Sequence, residues 1–484
     1  MEQAFAQTVS ICPVCLKTID AYKTVGDDGF IYLEKKCPEH GAFRTLIWEG
    51  DLASYQAWDR VPSGKITPQG AHPVQKGCPY DCGLCEDHER DGCCVLLELT
   101  NRCNLHCPVC FASAGEQTAQ DLSLEEISAQ YDMLMQHGGP FNIQLSGGEP
   151  TMRDDLDAVI ALGRQKGFTF FQLNTNGIRI AKEEGYAAHL AQIGVSCVFL
   201  QFDGLDDAVY QTLRGCALKD TKLLAIRRCR EAGLPVVLVP TIAPGINDHA
   251  LGEILQFALK HAPYIRGVHI QPISYFGRCS LTPPSARLTI PRILKNIEEQ
   301  TDGQMKISDF GGGGAESPYC SFHASYLCRE DGRIKALAQK QTQCCCVQSS
   351  DARDFVAQHW GEKPKKSCCC DTKPAEPQEC CCAAEPTETQ ECCCCAAEPA
   401  EAQECCCEEV TVSDCCDTSS LDDFLHKVVE STFTVSGMLF QDAENLDLER
   451  LRRCYLCEAD SEHGMVPFCA YNLTDRNGKA LYRK

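Results

Sequence analysis

Between Cys94 and Ser274 the chain repeats one alternation of apolar and polar stretches. Short apolar runs fall at 95–100 (VLLELT), 141–146 (FNIQLS), 168–174 (FTFFQLN), 195–202 (VSCVFLQF), 235–242 (PVVLVPTI) and 267–273 (GVHIQPI). Near-continuous apolar runs of this length suit strands buried on both faces. Helix-like segments separate them. The first is opened by Ser123 with Glu126 three residues on, a capping-box pattern, and others run near 154–166, 180–193, 219–232 and 249–260. Six β/α units of this length predict a parallel sheet with helices outside, an open or closed barrel. In such barrels the chemistry sits at the C-terminal ends of the strands.

The unusual residues cluster at those ends. The first run leads into TNRCNLHCPVCFASAG (100–115), which places Cys103, Cys107 and Cys110 at C-x3-C-x2-C spacing. Three thiolates on one loop can hold three irons of a [4Fe–4S] cluster and leave the fourth open to a ligand. A structural zinc knot completed from elsewhere is the plainer alternative. The second run ends in SGGEP (146–150), where Gly147 and Gly148 allow close backbone approach to a ligand and Glu149 brings a carboxylate. Asn174 and Asn176 follow the third run, Asp203 the fourth, PTIAPGIN (240–247) the fifth, and Gln271 lies in the sixth. Five strand ends with such chemistry beside an open thiol triplet point away from a purely structural role.

Composition sharpens this. The chain has 484 residues, 67 acids against 45 bases, and a formal charge of −22, which disfavours nucleic acid or an anionic membrane as partner. No apolar run approaches the roughly 18–20 residues of a membrane helix, and the N-terminus lacks a signal-peptide pattern, so a cytoplasmic location is expected. Cysteine is the outlier at 38 residues. In a reducing compartment, C-x2-C and C-x3-C-x2-C spacings favour metal binding over disulfides. Residues 1–60 form a predicted metal module in which Cys12, Cys15, Cys37 and His40 suit zinc or a rubredoxin-like iron. A Pro- and Gly-rich linker follows, and GCPYDCGLCEDH (77–88) repeats the triplet spacing at Cys78, Cys82 and Cys85, with Cys93 or Cys94 close behind and Cys94 the expected fourth ligand. These occupy 61–93. Cys197, Cys216, Cys229 and Cys279 read as small core residues.

Cys103, Cys107 and Cys110 after strand one and GGEP after strand two, within six β/α units over 94–275, resemble the radical S-adenosylmethionine (SAM) enzymes. Val109 departs from the aromatic residue common there before the last cysteine. The resemblance implies that the three cysteines ligate a [4Fe–4S] cluster whose open iron is chelated by SAM. It implies that Gly147, Gly148 and Glu149 bind the SAM amino group, with Asn174, Asn176 and Asp203 near the ribose or methionyl group. It also implies a 5′-deoxyadenosyl radical that attacks an unactivated carbon, and a low-potential donor such as flavodoxin or ferredoxin. The flanks resemble the branch of tetraether lipid synthase and pterin-modifying methylase-like enzymes, which carry one or two auxiliary [4Fe–4S] clusters and a rubredoxin-like site. The cysteine-run insertion resembles TrsS-type radical SAM (seleno)proteins, associated with a methyltransferase partner.

A connecting segment (276–343) leads to a low-complexity tract at 344–416 with 18 cysteines, built on repeats such as ECCCAAEPTETQ. Its Glu, Pro, Ala and Gln cannot bury enough apolar surface to order it without metal. In the C-terminal piece (417–484), Cys454, Cys457 and Cys469, joined by Cys320 or Cys328, are expected to bind an auxiliary cluster. The competing class is a non-catalytic metal-handling or electron-transfer protein, which would have no need of GGEP. The substrate, lipid or other small molecule, is not readable from the residues.

Overall fold

The computed structural model describes residues 4–59, 65–115, 121–281, 287–313, 316–329, 332–337, 349–361 and 431–483. Most of the expected cysteine tract at 344–416 lies outside the described residues.

Residues 4–48 form a four-stranded antiparallel meander of β1 (Ala4–Ile11), β2 (Thr18–Val25), β3 (Ile31–Cys37) and β4 (Gly41–Trp48). Its two ligand-bearing turns, Cys12–Cys15 and Cys37–His40, lie at the β1–β2 and β3–β4 connections.

The six expected strands are present. They are β5 (Cys94–Thr100), β7 (Asn142–Gly147), β8 (Phe171–Thr175), β9 (Cys197–Gln201), β10 (Val236–Val239) and β12 (Ile265–Pro272), paired parallel in that order. A two-residue strand β6 (Val109–Cys110) lies in the cysteine loop, and Pro240, with no N–H to give a ladder, separates β10 from β11 (Thr241–Ile242). The expected helix at 180–193 is two, Ile178–Lys182 and Tyr186–Ile193, with Gly185 between them at φ +80°. An additional helix, Asp207–Arg214, precedes Lys219–Glu231. The capping box is formed: the Glu126 N–H donates to Ser123 Oγ (3.2 Å) and the Ser123 N–H to Glu126 Oε2 (2.7 Å).

Two further parallel strands come from the C-terminal piece. After β13 (Arg278–Cys279), β14 (Ser321–Cys328) and β15 (Ile334–Ala336), the strand β16 (Thr432–Met438) pairs parallel with β12, while β17 (Leu456–Asp460) pairs parallel with β5. β14 and β15 extend the sheet antiparallel beyond β16, and β18 (Gly464–Pro467) beyond β17. The run is therefore eight parallel strands in the order β17-β5-β7-β8-β9-β10-β12-β16, and the C-terminal piece is part of the barrel as well as a carrier of cysteines.

Strand alternation divides the side chains. Val95, Leu97 and Leu99 of β5 pack outward with Ile127, Tyr131 and Leu134 of helix Leu124–Gln136. Their neighbours Cys94 and Leu96 face the interior with Leu456 and Phe468.

Candidate active site

The loop carrying Cys103, Cys107 and Cys110 is stitched to the end of β7. The Gly148 N–H donates to Thr100 O (2.7 Å) and the Glu149 N–H to Arg102 O (2.9 Å). A Cβ on Gly147 would stand 2.3 Å from Thr100 O, and one on Gly148 would stand 2.3 Å from Arg102 O. Both glycines are thus required by the backbone of the cysteine loop. On its other side the loop is held by β13, where Cys279 pairs with Val109 and the Arg278 guanidinium donates to Cys107 O (2.8 Å).

Glu149 is 1% exposed and ties strand ends together. Its Oε1 accepts from Thr151 N (3.1 Å), Thr151 Oγ1 (2.6 Å) and Thr175 Oγ1 (2.7 Å), and its Oε2 from Asn176 N (2.7 Å). Asn176 Nδ2 reaches back to Asn104 Oδ1 (2.7 Å) in the cysteine loop. Asn174 Nδ2 donates to Gln144 Oε1 (3.2 Å).

These groups open on one cavity of about 290 Å³. The three cysteines, Gly147, Gly148, Glu149, Asn174 and Asn176 all line it. Alternate positions of the strands supply the rest: Cys94 and Leu96, Gln144 and Ser146, Phe199 and Gln201, His269 and Gln271. The rings of Phe276, Phe440, Phe468, Tyr455 and Trp360 close the apolar part. His269 accepts or donates at Ser436 Oγ (2.9 Å), and burial takes its pKa down to about 4, so it is neutral.

The donor set fits a polynuclear cluster. Burial, then the neighbouring Glu149 and the other two cysteines, push the Cys103 thiol up to about 12. Thiols so placed deprotonate readily only when a metal supplies positive charge. Among the described residues, the only group of three or more ligand atoms lying within 4.8 Å of one another is Cys12, Cys15, Cys37 and His40. The Cys103 triplet is spread wider than one ion requires, and it faces a cavity.

Asp203 lies elsewhere than expected. It is wholly buried, is not among the cavity-lining residues, and accepts from Arg214 Nε (2.7 Å), Arg214 Nη2 (2.9 Å), Thr241 N (3.0 Å) and the Gln201 amide. Its partner Arg214, unremarked in the sequence, lines the cavity in its place. Buried Lys222 donates to Asn176 O (2.6 Å) and Gln201 Oε1 (2.7 Å), and burial brings its pKa down to about 7 against the pull of Asp203.

The remaining thiols form three settings. In the N-terminal set, His40 Nδ1 is 3.6 Å from Cys12 Sγ and 3.5 Å from Cys37 Sγ. Burial raises the Cys37 thiol, but the Glu39 and His40 backbone N–H groups and the imidazole outweigh it and bring it down to about 6. A Cys3His set with a thiolate at neutral pH fits a tetrahedral ion. Cys78, Cys82 and Cys85 share a small hollow with Asp81, Asp87 and His88. Cys94 is not among its lining residues; it sits on β5 in the central cavity, 3.6 Å from Cys93 Sγ, because the strand begins at this residue and turns it inward. Cys320, Cys454 and Cys469 are close enough to perturb one another, and half-buried Arg450 has its Nη2 3.4 Å from Cys320 Sγ. Cys457 leaves that group: strand alternation sends it into the main core with Val95 and Ala459, while Leu456 faces inward near Cys454. Cys197 and Cys229 are buried core residues, whereas Cys216 and Cys279 are half-buried. Among the described residues, no helix is long and apolar enough to cross a membrane.

A family model described as the radical SAM superfamily matches residues 97–258, and one described as the HMPTM N-terminal zinc ribbon domain matches residues 4–49. The chain is 41% identical over 309 residues to the 7,8-dihydro-6-hydroxymethylpterin dimethyltransferase of Methanocaldococcus jannaschii, covering 63% of this chain and 60% of that protein. It is 37% identical over 151 residues to the Fe-coproporphyrin III synthase of Methanosarcina barkeri, covering 31% of this chain and 36% of that one. Among solved structures, Streptococcus suis SuiB bound to its precursor peptide SuiA aligns with a TM-score of 0.38 at 16% identity, over 45% of this chain and 46% of that one. The chain thus spans less than two thirds of the length of either curated relative.

Proposed function

We propose that this chain, whose residues 97–258 match the radical SAM superfamily model, is an enzyme that holds a [4Fe–4S] cluster on Cys103, Cys107 and Cys110 and binds SAM beside it. Its reaction is proposed to place a methyl or methylene group on an unactivated carbon of a flat heteroaromatic substrate. The observation that carries this reading is the stitching of the thiol loop to Gly148 and Glu149, so that both face one cavity. When bound, the cluster supplies the electron that splits SAM into methionine and a 5′-deoxyadenosyl radical.

The chain's own residues do the rest. Gly147, Gly148 and Glu149 form the edge on which the SAM amino group rests, and Asn174 and Asn176 offer amides toward the ribose. Aromatic rings and the amides of Gln144, Gln201 and Gln271 give the inner cavity stacking faces with a few hydrogen-bonding groups, a combination suited to a planar ring with polar edges. The dihydropterin in the name of the M. jannaschii relative is of that class. The walls also keep water from the reacting atoms. The Cys12, Cys15, Cys37 and His40 set would hold zinc. Auxiliary [4Fe–4S] clusters are proposed at Cys78, Cys82 and Cys85 and at Cys320, Cys454 and Cys469. A low-potential flavodoxin or ferredoxin would supply electrons.

The test is anaerobic reconstitution followed by dithionite and methyl-labelled SAM, with mass spectrometry of the adenosine product and of added 7,8-dihydro-6-hydroxymethylpterin. Production of 5′-deoxyadenosine by the native chain and none by Cys103→Ala is expected. No 5′-deoxyadenosine from the native chain rejects the reading. If 5′-deoxyadenosine forms while the pterin is unchanged in mass, the substrate class alone is rejected.

A further inference from the structure

A guanidinium has five N–H donors in a fixed plane. In Arg214 four of them are committed: Nε to Asp203 Oδ2 (2.7 Å), Nη2 to Asp203 Oδ1 (2.9 Å) and Thr241 Oγ1 (2.8 Å), and Nη1 to Val109 O (3.2 Å). The planar fork is therefore immobile, and the remaining Nη1–H is the only donor left. The Val109 carbonyl that Arg214 holds lies between Cys107 and Cys110 in the thiol loop, and Arg214 lines the same cavity as the three cysteines. The side chain of Arg214 is 9% exposed and that of Asp203 0%. Water therefore does little to screen the guanidinium.

We propose that Arg214 is a positioning residue that sets the reduction potential of the cluster on Cys103, Cys107 and Cys110 by fixing a buried positive charge against the thiol loop, with Asp203 as the strut that holds it there. The proposal rests on the cluster assignment above. Iron–sulfur potentials follow net charge, hydrogen bonds to the sulfurs and solvent exposure. Reduction adds negative charge to the cluster, so a fixed cation against the ligand loop stabilises the reduced form. Asp203 acts in the opposite sense through its own charge and in the same sense through the orientation it imposes. Groups around a metal ligand commonly tune the metal in this way. Saturation of the guanidinium by protein acceptors also separates this role from ligand binding: no fork is left over to grip a carboxylate or phosphate.

The experiment is an EPR-monitored redox titration of the anaerobically reconstituted full chain, following the signal that changes when SAM is added. At the poise where half of the native cluster is reduced, Arg214→Gln is expected to lower the reduced-to-oxidised ratio at least tenfold, a midpoint shift of about 59 mV for one electron. Arg214→Lys keeps the charge without the fork and should fall between the two. Asp203→Asn removes a buried negative charge and should shift the midpoint upward. Loss of packing alone would not give opposite signs at the two ends of one ion pair. The proposal is overturned if Arg214→Gln leaves the midpoint unmoved or raises it, or if Arg214→Gln and Asp203→Asn move it the same way. Should Arg214→Gln fail to retain iron, the other two decide: a lowered Arg214→Lys with a raised Asp203→Asn supports the proposal, and no shift in both overturns it. A native chain with no SAM-responsive signal would instead reject the cluster assignment on which the proposal rests.

Discussion

At the scale of single residues, the site divides into positions whose role shows in the sequence and positions whose role comes only from folding. GGEP was readable because two glycines before an acid at a strand end are rare in packed structure. What they were for was not readable, since the obstacle is the carbonyl of a residue more than forty positions away. Gly148→Ala would set a methyl 2.3 Å from Arg102 O, closer than backbone atoms can approach. The cysteine loop must then shift, so this variant should lose at least tenfold in SAM cleavage and part of its iron, while its far-ultraviolet circular dichroism stays native. Unchanged cleavage would show that the loop tolerates the displacement. Lys222 did leave a trace: it occupies the buried stripe of its helix with Ala225, Ile226 and Cys229. A lysine at a core position of that spacing is a mark of a buried partner. Its pKa falls to about 7 in the folded chain against about 10.4 when unfolded. Between those values the unfolded state binds the proton and the folded state does not, so stability rises with pH and is flat below pH 7. The slope is about 1.4 kcal/mol per pH unit from this group. Lys222→Met should lack that slope, so the native-minus-variant difference in thermal stability should grow with pH between pH 7 and 9. A difference that does not vary with pH would refute it.

At the scale of elements, the parallel strands were readable because burial on both faces makes them continuous apolar runs. β17 was hidden: LCEAD carries two acids, one of them the buried Glu458, and its pairing with β5 joins residues more than 350 positions apart. The N-terminal meander was recognisable from its ligand turns, but its docking was not. Thr8 Oγ1 donates to Asp447 Oδ1 (2.8 Å), Ser10 Oγ to Leu446 O (2.5 Å) and Lys35 Nζ to Ala443 O (2.8 Å), while Lys23 pairs with Asp447 at 2.9 Å. Asp447 also caps the helix Leu448–Arg452 by accepting from Glu449 N (3.0 Å). Burial raises the Asp447 carboxyl, yet Lys23 and Thr8 outweigh it and hold it below the usual range. Its stabilising effect is therefore present at neutral pH and lost as pH falls below the ordinary carboxylate range. Asp447→Ala removes a cap and strands a buried lysine, a loss on the order of 3–5 kcal/mol. The expected result is a lower melting temperature and faster proteolytic release of residues 4–49, with zinc still bound to the released fragment. Identical protease kinetics in the variant would show that the docking bonds contribute nothing.

At the scale of the whole molecule, the C-terminal piece closes what the central segment begins. The family match at 97–258 contains the cysteine loop, β7, β8, β9, β10 and GGEP, yet the cavity they open on is walled in part by Met438, Phe440, Tyr455, Leu456 and Phe468. Those residues come from β16, β17 and the segments next to them, which flank the parallel run at its two ends. The same piece braces the cysteine loop directly: the Arg483 guanidinium donates to both oxygens of Glu98 (2.7 and 2.6 Å) and to Ala112 O (3.4 Å). A chain ending at residue 430 would thus expose the edges of β5 and β12 and leave Glu98 without its cation. Both consequences are costly, since exposed parallel edges template aggregation and a stranded buried charge destabilises strongly. The truncated chain is expected to be insoluble or to bind no iron at Cys103, Cys107 and Cys110. Adding residues 431–484 as a separate peptide during refolding should recover soluble protein, because both strands pair through the sheet rather than through the intervening tract. A truncated chain that stays soluble and cleaves SAM at the native rate would show that the six-strand unit is sufficient, and that the two added strands serve only to carry Cys454 and Cys469.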